Sequence, residues 1–303
     1  DHKDEFLDRL PPIPQIKNGR KVACIGAGPA SLTVANDLLP LGYEVTVFEQ
    51  FGEPGGLMRT NIPSFRLPQG VLDEEIGAIV KMGAELKLGH KIESMRGLIE
   101  QGGFDAVFVG SGAPKGKELN LPGRKEGGAN IHIGITWLES VAFDHIKSIG
   151  ENVLIIGVGN TAMDCCRSSL RLGAKSVKVM ARKPRQFFKA SEWELEDAEE
   201  ENVQIVVNRS PKNFVVEGGK LKGMTFDVME YEVDAKGRIT SERMNGEEFF
   251  PARRLLPGQG MGGGAEDGEP VGQPGFDGEI GVEAGAFDEA AVDAAVRDQM
   301  DRQ

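Results

Sequence analysis

A short apolar run, Lys21-Val22-Ala23-Cys24-Ile25, passes directly into the glycine turn Gly26-Ala27-Gly28-Pro29-Ala30, and the same order recurs about 130 residues later. After the first turn the pattern predicts a helix to about Leu39, closed by Gly42, and then a strand over Glu44-Val45-Thr46-Val47-Phe48-Glu49. That is a strand–helix–strand unit of about the 30-residue size that dinucleotide-binding folds use. The second copy runs from Val153-Leu154-Ile155-Ile156 through Gly157-Val158-Gly159-Asn160-Thr161-Ala162 into a helix reaching Arg171. Gly173 and the strand Ser176-Val177-Lys178-Val179-Met180-Ala181 follow. Two such units in one chain predict an α/β fold with two Rossmann-like dinucleotide-binding domains.

The glycines have a physical purpose at these places. The first allows the tight turn, the second lets bare backbone approach a pyrophosphate, and the helix that follows offers unpaired N–H groups and the positive end of its dipole. Ser31 stands at the third glycine position, where it is expected to loosen the helix–strand contact slightly. Glu49 lies 23 residues after Gly26, at the end of the second strand, and is placed to accept hydrogen bonds from an adenosine ribose. The second unit ends differently, with Arg182, Lys183 and Arg185 in place of the acid. Guanidinium and ammonium groups there accommodate a 2′-phosphate, which a carboxylate does not. The alternatives are an ordinary glycine turn with a surface glutamate, and a basic loop that is merely solvated.

Between the units, Phe104–Val109 reads as another strand, ending in Gly110-Ser111-Gly112-Ala113. Residues 214–249 alternate apolar and polar around Gly218-Gly219 and read as antiparallel strands. After Pro251 the character changes. Residues 258–285 hold eleven glycines in 28 positions and no lysine follows Lys236, as a natural tail or a change of reading frame near residue 252 would produce. A short helix is expected near Asp288–Met300.

Lys+Arg 35 against Asp+Glu 47 gives a net charge of -12, which argues against binding a nucleic-acid backbone. No apolar run is long enough for a bilayer, so no membrane partner is expected. The three cysteines, Cys24, Cys165 and Cys166, have no C-x-x-C spacing, so neither an iron–sulfur cluster nor a structural zinc is expected in this chain. They fit a reducing, cytoplasmic setting. His2, His90, His132 and His145 are scattered without metal-like spacing. Glu192, Glu194, Glu196 and Glu199–Glu201 read as a solvated helical face, with Trp193 packing inward.

The strings Gly28-Pro29-Ala30-Ser31-Leu32-Thr33-Val34-Ala35-Asn36-Asp37-Leu38, Glu49-Gln50, Gly55-Gly56-Leu57 and Ile62-Pro63-Ser64-Phe65-Arg66-Leu67-Pro68 resemble the small subunit of glutamate synthase. Similar proteins are the N-terminal part of dihydropyrimidine dehydrogenase and the flavin subunit of ferredoxin-dependent NADP transhydrogenases. Gly112-Ala113-Pro114, and Gly157 through Asp164 with Arg182-Lys183, match the same family over about residues 20–251. The resemblance implies a pyridine nucleotide-disulfide oxidoreductase-like architecture, with an NAD(P)H domain nested in an FAD domain. It implies that Gly26, Gly28, Glu49, Gly56, Arg66 and Ala113 lie along FAD, with Pro29, Ala30, Gln50, Gly55, Leu57 and Gly112 in the same matched strings. Gly159, Asn160, Thr161, Arg182 and Arg185 would lie along NADP(H), beside Gly157 and Lys183.

The expected organisation is a lead-in over 1–19, the first part of the FAD domain over 20–140, the NADP(H) domain over 141–250 and an atypical tail over 251–303. The family's upstream cysteine ligands are not in this sequence, and its closing apolar strand and Gly-Asp segment are not recognisable after Pro251. The expected activity is hydride transfer between NADP(H) and FAD. Electrons would pass onward to an iron–sulfur or flavin-containing partner subunit or to ferredoxin. Hydride transfer needs no side-chain acid or base, so no catalytic residue is singled out. The rivals are a stand-alone flavin reductase, an assembly subunit with a vestigial flavin site, and an NADPH-binding sensor; a disulfide reductase is disfavoured.

Overall fold

Val22, Ala23 and Cys24 are buried on both faces of one strand, as a parallel sheet covered by helices requires, and they form the centre of the first half of the molecule. The computed structural model describes residues 11–113, 115–116 and 118–257. The start of the lead-in, Pro114, the glycine-rich tail and the helix expected near Asp288–Met300 lie outside the described residues.

In chain order the first half contains β1 (Lys21–Ile25), α1 (Pro29–Leu38), β2 (Glu44–Phe48), α2 (Leu57–Thr60), α3 (Gln69–Lys81), β3 (Glu85–Lys87), α4 (Met95–Glu100) and β4 (Ala106–Val109). The strands form a parallel sheet in the order β3-β2-β1-β4. Pro29 opens α1, a position where its missing N–H costs nothing, and Gly28 caps it. Leu32 and Ala35 turn one face of α1 inward, and Ala35 packs with Val45 and Val47 of β2.

The second half contains α5 (Gly134–Ala142), β5 (Asn152–Ile156), α6 (Asn160–Arg171), β6 (Ser176–Met180), α7 (Glu192–Glu200) and β7 (Gln204–Val206). Then come β8 (Arg209–Glu217), β9 (Lys220–Val233), β10 (Ile239–Pro251) and β11 (Arg254–Pro257). The antiparallel sheet β10-β9-β8 has β8 and β9 turning at Gly218-Gly219, as the alternation predicts. The parallel sheet has the order β11-β5-β6-β7.

Two features differ from the sequence reading. No strand was expected after Pro251, yet Arg254–Pro257 pairs in parallel with β5, with Leu255 and Leu256 wholly buried. An apolar pair between two arginines and a proline is too short to show a period. A proline is tolerated there because β11 lies at the sheet edge. Second, Trp137 and Leu138 of α5 pack with Val153, Ile155 and Cys165, ahead of the expected opening of that domain at residue 141.

Candidate functional site

The first glycine turn is held by close backbone contact on two sides. The Gly26 N–H donates to the Phe48 carbonyl at 2.7 Å. Gly26 has φ +87°, and a Cβ there would lie 2.8 Å from the Gly110 carbonyl oxygen at the end of β4. Opposite, a Cβ on Gly56 would come within 2.8 Å of the Gly28 Cα, so these two backbones touch. Ser31 fits beneath Gly110: a Cβ on Gly110 would fall 2.1 Å from the serine hydroxyl. Ser31 is therefore wholly buried, and the room it needs comes from Gly110 rather than from a loosened helix.

Above the turn lies a cleft of about 500 Å³. Gly26, Gly28, Pro29, Ala30, Glu49, Gln50, Gly56, Leu57 and Gly112 all line it. Gly55 lies beneath, its N–H donating to the Ala27 carbonyl at 2.8 Å, and Ala113 follows the lining residue Gly112. His90, Lys91 and Ile92 after β3, Phe51, and Glu139 of α5 also line the cleft. The sequence carries no signal for these five, because they reach it only through folding. Glu49 is 5% exposed. Its carboxylate accepts the Ala27 N–H at 2.8 Å and the Phe51 N–H at 3.0 Å, which fixes an acceptor at the wall of the cleft. A dinucleotide pyrophosphate fits this cradle. A Cβ built on Gly28 would meet the Gly56 Cα at 3.9 Å and the Gly110 carbonyl oxygen at 4.0 Å, and Gly28 itself lines the cleft at the start of α1.

The second turn repeats the frame. The Gly157 N–H donates to Met180, the last residue of β6, at 3.0 Å, and Gly159 caps α6. The segment after β6 folds back over the turn: Lys189 and Ala190 N–H groups donate to the Val158 carbonyl, and Ser191 N–H donates to Asn160 Oδ1 at 3.0 Å. Thr161 follows in the first turn of α6. Arg182 and Lys183 are half-buried just beyond β6, with the Tyr231 hydroxyl donating to the Arg182 carbonyl at 2.8 Å. Lys183 Nζ stands 5.8 Å from the Phe187 ring. Arg185 is already engaged, its guanidinium bonded to Glu192 at 2.7 Å and Glu199 at 2.5 Å, and the two acids hold its pKa above the ordinary arginine value.

Arg66, expected along FAD, is placed elsewhere. It reaches α6 and α7, where it bonds Asp164 at 2.7 Å and meets the Glu194 carboxylate. The acidic run is a solvated face at Glu192, Glu196, Glu199 and Glu200 but not at Glu194, which is 0% exposed; Trp193, expected to pack, is 53% exposed with the Arg66 guanidinium 5.3 Å from its ring. Burial pushes both Asp164 and Glu194 above the usual carboxylate range, against the pull of Arg66. All three cysteines are free and buried. Among the described residues no group of three or more His, Cys, Asp or Glu side chains is placed to hold a metal ion, and no helix is long and apolar enough to cross a membrane.

Comparison with known proteins places this arrangement. The beta subunit of NADP(+)-dependent formate dehydrogenase from Moorella thermoacetica is 37% identical over 252 residues, covering 81% of this chain and 35% of that protein. A putative glutamate synthase (NADPH) small chain from Cereibacter sphaeroides is 32% identical over 251 residues, covering 79% and 60%. The chain thus spans between 35% and 60% of the length of these two relatives. The structure of Mycobacterium tuberculosis FprA in complex with NADPH shares the fold, with a TM-score of 0.67 at 17% identity over 79% of this chain and 70% of that one. A family model for pyridine nucleotide-disulphide oxidoreductases matches residues 20–240. The chain belongs to that family, among the relatives of the glutamate synthase small chain, and the family works with FAD and NADP(H).

Proposed function

We propose that this chain is the nucleotide-handling module of an NADPH-dependent flavin oxidoreductase, with FAD in the first cradle and NADP(H) in the second. The two cofactors supply the hydride chemistry, and the chain supplies grip, placement and electrostatics. The observation that carries the reading is the change of charge just past the two equivalent strands: Glu49 follows β2 directly, and Arg182 with Lys183 follows β6 after Ala181. Gly26, Gly28 and Gly56 present backbone to one pyrophosphate, and the buried Glu49 carboxylate receives a ribose. Gly157, Gly159 and the α6 N-terminus take the other pyrophosphate, while Arg182 and Lys183 face a 2′-phosphate.

Electrons would leave through an iron–sulfur or flavin-containing partner subunit or ferredoxin. The relatives' names describe a beta subunit and a small chain, which supports a place in a larger complex. A disulfide route is disfavoured by the thiols themselves, since burial pushes Cys24 up to about 11 and Cys166 up to about 12. The purified full chain, incubated with FAD and freed of excess, should be yellow and should bleach anaerobically with NADPH faster than with NADH. A colourless protein that binds neither nucleotide would leave the stand-alone reductase and the electron-input subunit equally untenable, and would favour the assembly role.

A further inference from the structure

The string Ile62-Pro63-Ser64-Phe65-Arg66-Leu67-Pro68 is the most distinctive in the sequence, yet none of its residues lines the cleft above the first glycine turn. It starts from the first cradle, since Gly56 abuts Gly28 and α2 follows at once. Pro63 then turns the chain: its carbonyl accepts the Arg66 N–H at 2.9 Å and the Leu67 N–H at 3.1 Å. Phe65 and Arg66 enter the second half at α6 and α7. The Arg66 guanidinium forks, one arm to Asp164 at 2.7 Å and the other to Glu194, with its face toward Trp193. The Phe65 ring lies 3.8 Å from the Arg171 guanidinium carbon and 5.0 Å from that of Arg167. Nearby, Asn61 Nδ2 donates to the Ile135 carbonyl of α5 at 2.8 Å. Asp164 sits one turn along α6 from Asn160, where the second cradle begins.

We infer that Phe65-Arg66 is a plug that sets where the second cradle stands relative to the first, which makes Arg66 a positioning residue for transfer between the two nucleotides. The inference rests on the two-nucleotide reading above. Its physical basis is the cost of burying carboxylates without a cation. Asp164 is 4% exposed and Glu194 is 0% exposed. With Arg66 withdrawn, Glu194 keeps Arg167 at 3.7 Å, and that guanidinium is shared with Asp197 and Glu201. One seated position gives Asp164 a hydrogen bond and Glu194 its close counter-charge from the two arms of one guanidinium, and a displaced one leaves two buried acids without that cation. A contact of this kind specifies an arrangement more than it stabilises one. Positioning matters here because a shift of about 1 Å between reacting groups can cost on the order of a hundredfold in rate.

The test uses the full chain loaded with FAD, comparing wild type, Arg66→Gln and Arg66→Lys. Dissociation constants for NADPH and FAD are read by titration, and flavin bleaching by rapid mixing. Arg66→Gln should leave both constants within about twofold while bleaching slows on the order of a hundredfold. Arg66→Lys keeps the charge but not the fork, and should recover part of the rate. An unchanged rate, or a rate loss matched by an equal loss of NADPH affinity, overturns the inference. In the nucleotide-free chain, amide exchange over residues 160–171 should quicken in Arg66→Gln and return toward wild type in Arg66→Lys; unchanged exchange also overturns it. Should Arg66→Gln fail to fold, the nearly isosteric Asp164→Asn is expected to give the same pattern, and its absence counts equally against the plug. If wild type itself does not bleach with NADPH, the proposed function fails, and the exchange measurement still decides whether the plug exists.

Discussion

The two glycine turns are built alike and closed differently. In each, the first glycine donates its N–H to the last residue of the second strand, Gly26 to Phe48 and Gly157 to Met180. In each, the second glycine caps a helix. The divergence begins one residue later. After β2 comes Glu49, buried and tied to the Ala27 and Phe51 amides; after β6 come Ala181 and then the cations. A fixed, buried carboxylate repels a phosphate placed beside it, whereas half-buried cations attract one, so on the proposed reading discrimination would use repulsion at one site and attraction at the other. On the proposed reading the shared frame would bind a dinucleotide, and a few side chains would decide which one.

Breaking the frame should do more than changing the closure. Gly26→Ala forces a left-handed backbone at φ +87° and drives a Cβ to 2.8 Å from the Gly110 oxygen. Strain of this kind costs about 1–3 kcal/mol before the clash is counted. The expected result is lost FAD retention and a lower denaturation midpoint, with NADPH binding at the other turn kept. A variant that retains flavin normally would show that the first turn is not the cradle.

Changing the closure should alter choice rather than existence. Arg182→Ala should weaken NADPH by about tenfold to a hundredfold, the range for hydrogen bonds between charged groups, and barely affect NADH. Arg185→Ala should cost only a few-fold, because Glu192 and Glu199 already occupy its guanidinium and a phosphate must compete with them. Titrating both nucleotides against both variants checks the order. Equal losses for NADPH and NADH would end the claim that the charge contrast selects the cofactor.

What could be read from sequence was what is local. A strand running into a glycine turn, a helix and an acid or a base are all neighbours along the chain, so both turns were legible, as was the hairpin at Gly218-Gly219. What escaped depends on contacts made across the molecule. Leu255-Leu256 is a strand because β5 lies on one side of it and Ile131 on the other. The family resemblance implies Arg66 along FAD, but the chain carries its guanidinium to Asp164 and Glu194. Glu194 was hidden among acids of the same type. Leu195 and Ala198, buried beside it and three residues apart, were the one available sign that this side of α7 faces inward. Nothing before folding distinguishes His90 or Ile92 as cleft walls.

The smallest effect is expected at the cysteines, and it contrasts the halves again: Cys24 lies in β1, Cys165 and Cys166 in α6. Burial pushes Cys24 up to about 11, Cys166 up to about 12 and Cys165 well above the ordinary thiol value. Since the folded values exceed the unfolded value of about 8.5, ionisation is favoured by unfolding. The thiols should leave stability unchanged below about pH 8.5 and erode it progressively as pH rises toward the folded values. Because the thiolate is the nucleophile, a thiol reagent at neutral pH should react slowly with the native protein and with all three cysteines in denaturant. Cys24, with the smallest shift, should yield first as the pH is raised. Rapid native modification of the α6 pair at neutral pH would show a thiolate where burial disfavours one, and would reopen the disulfide chemistry that these buried thiols disfavour.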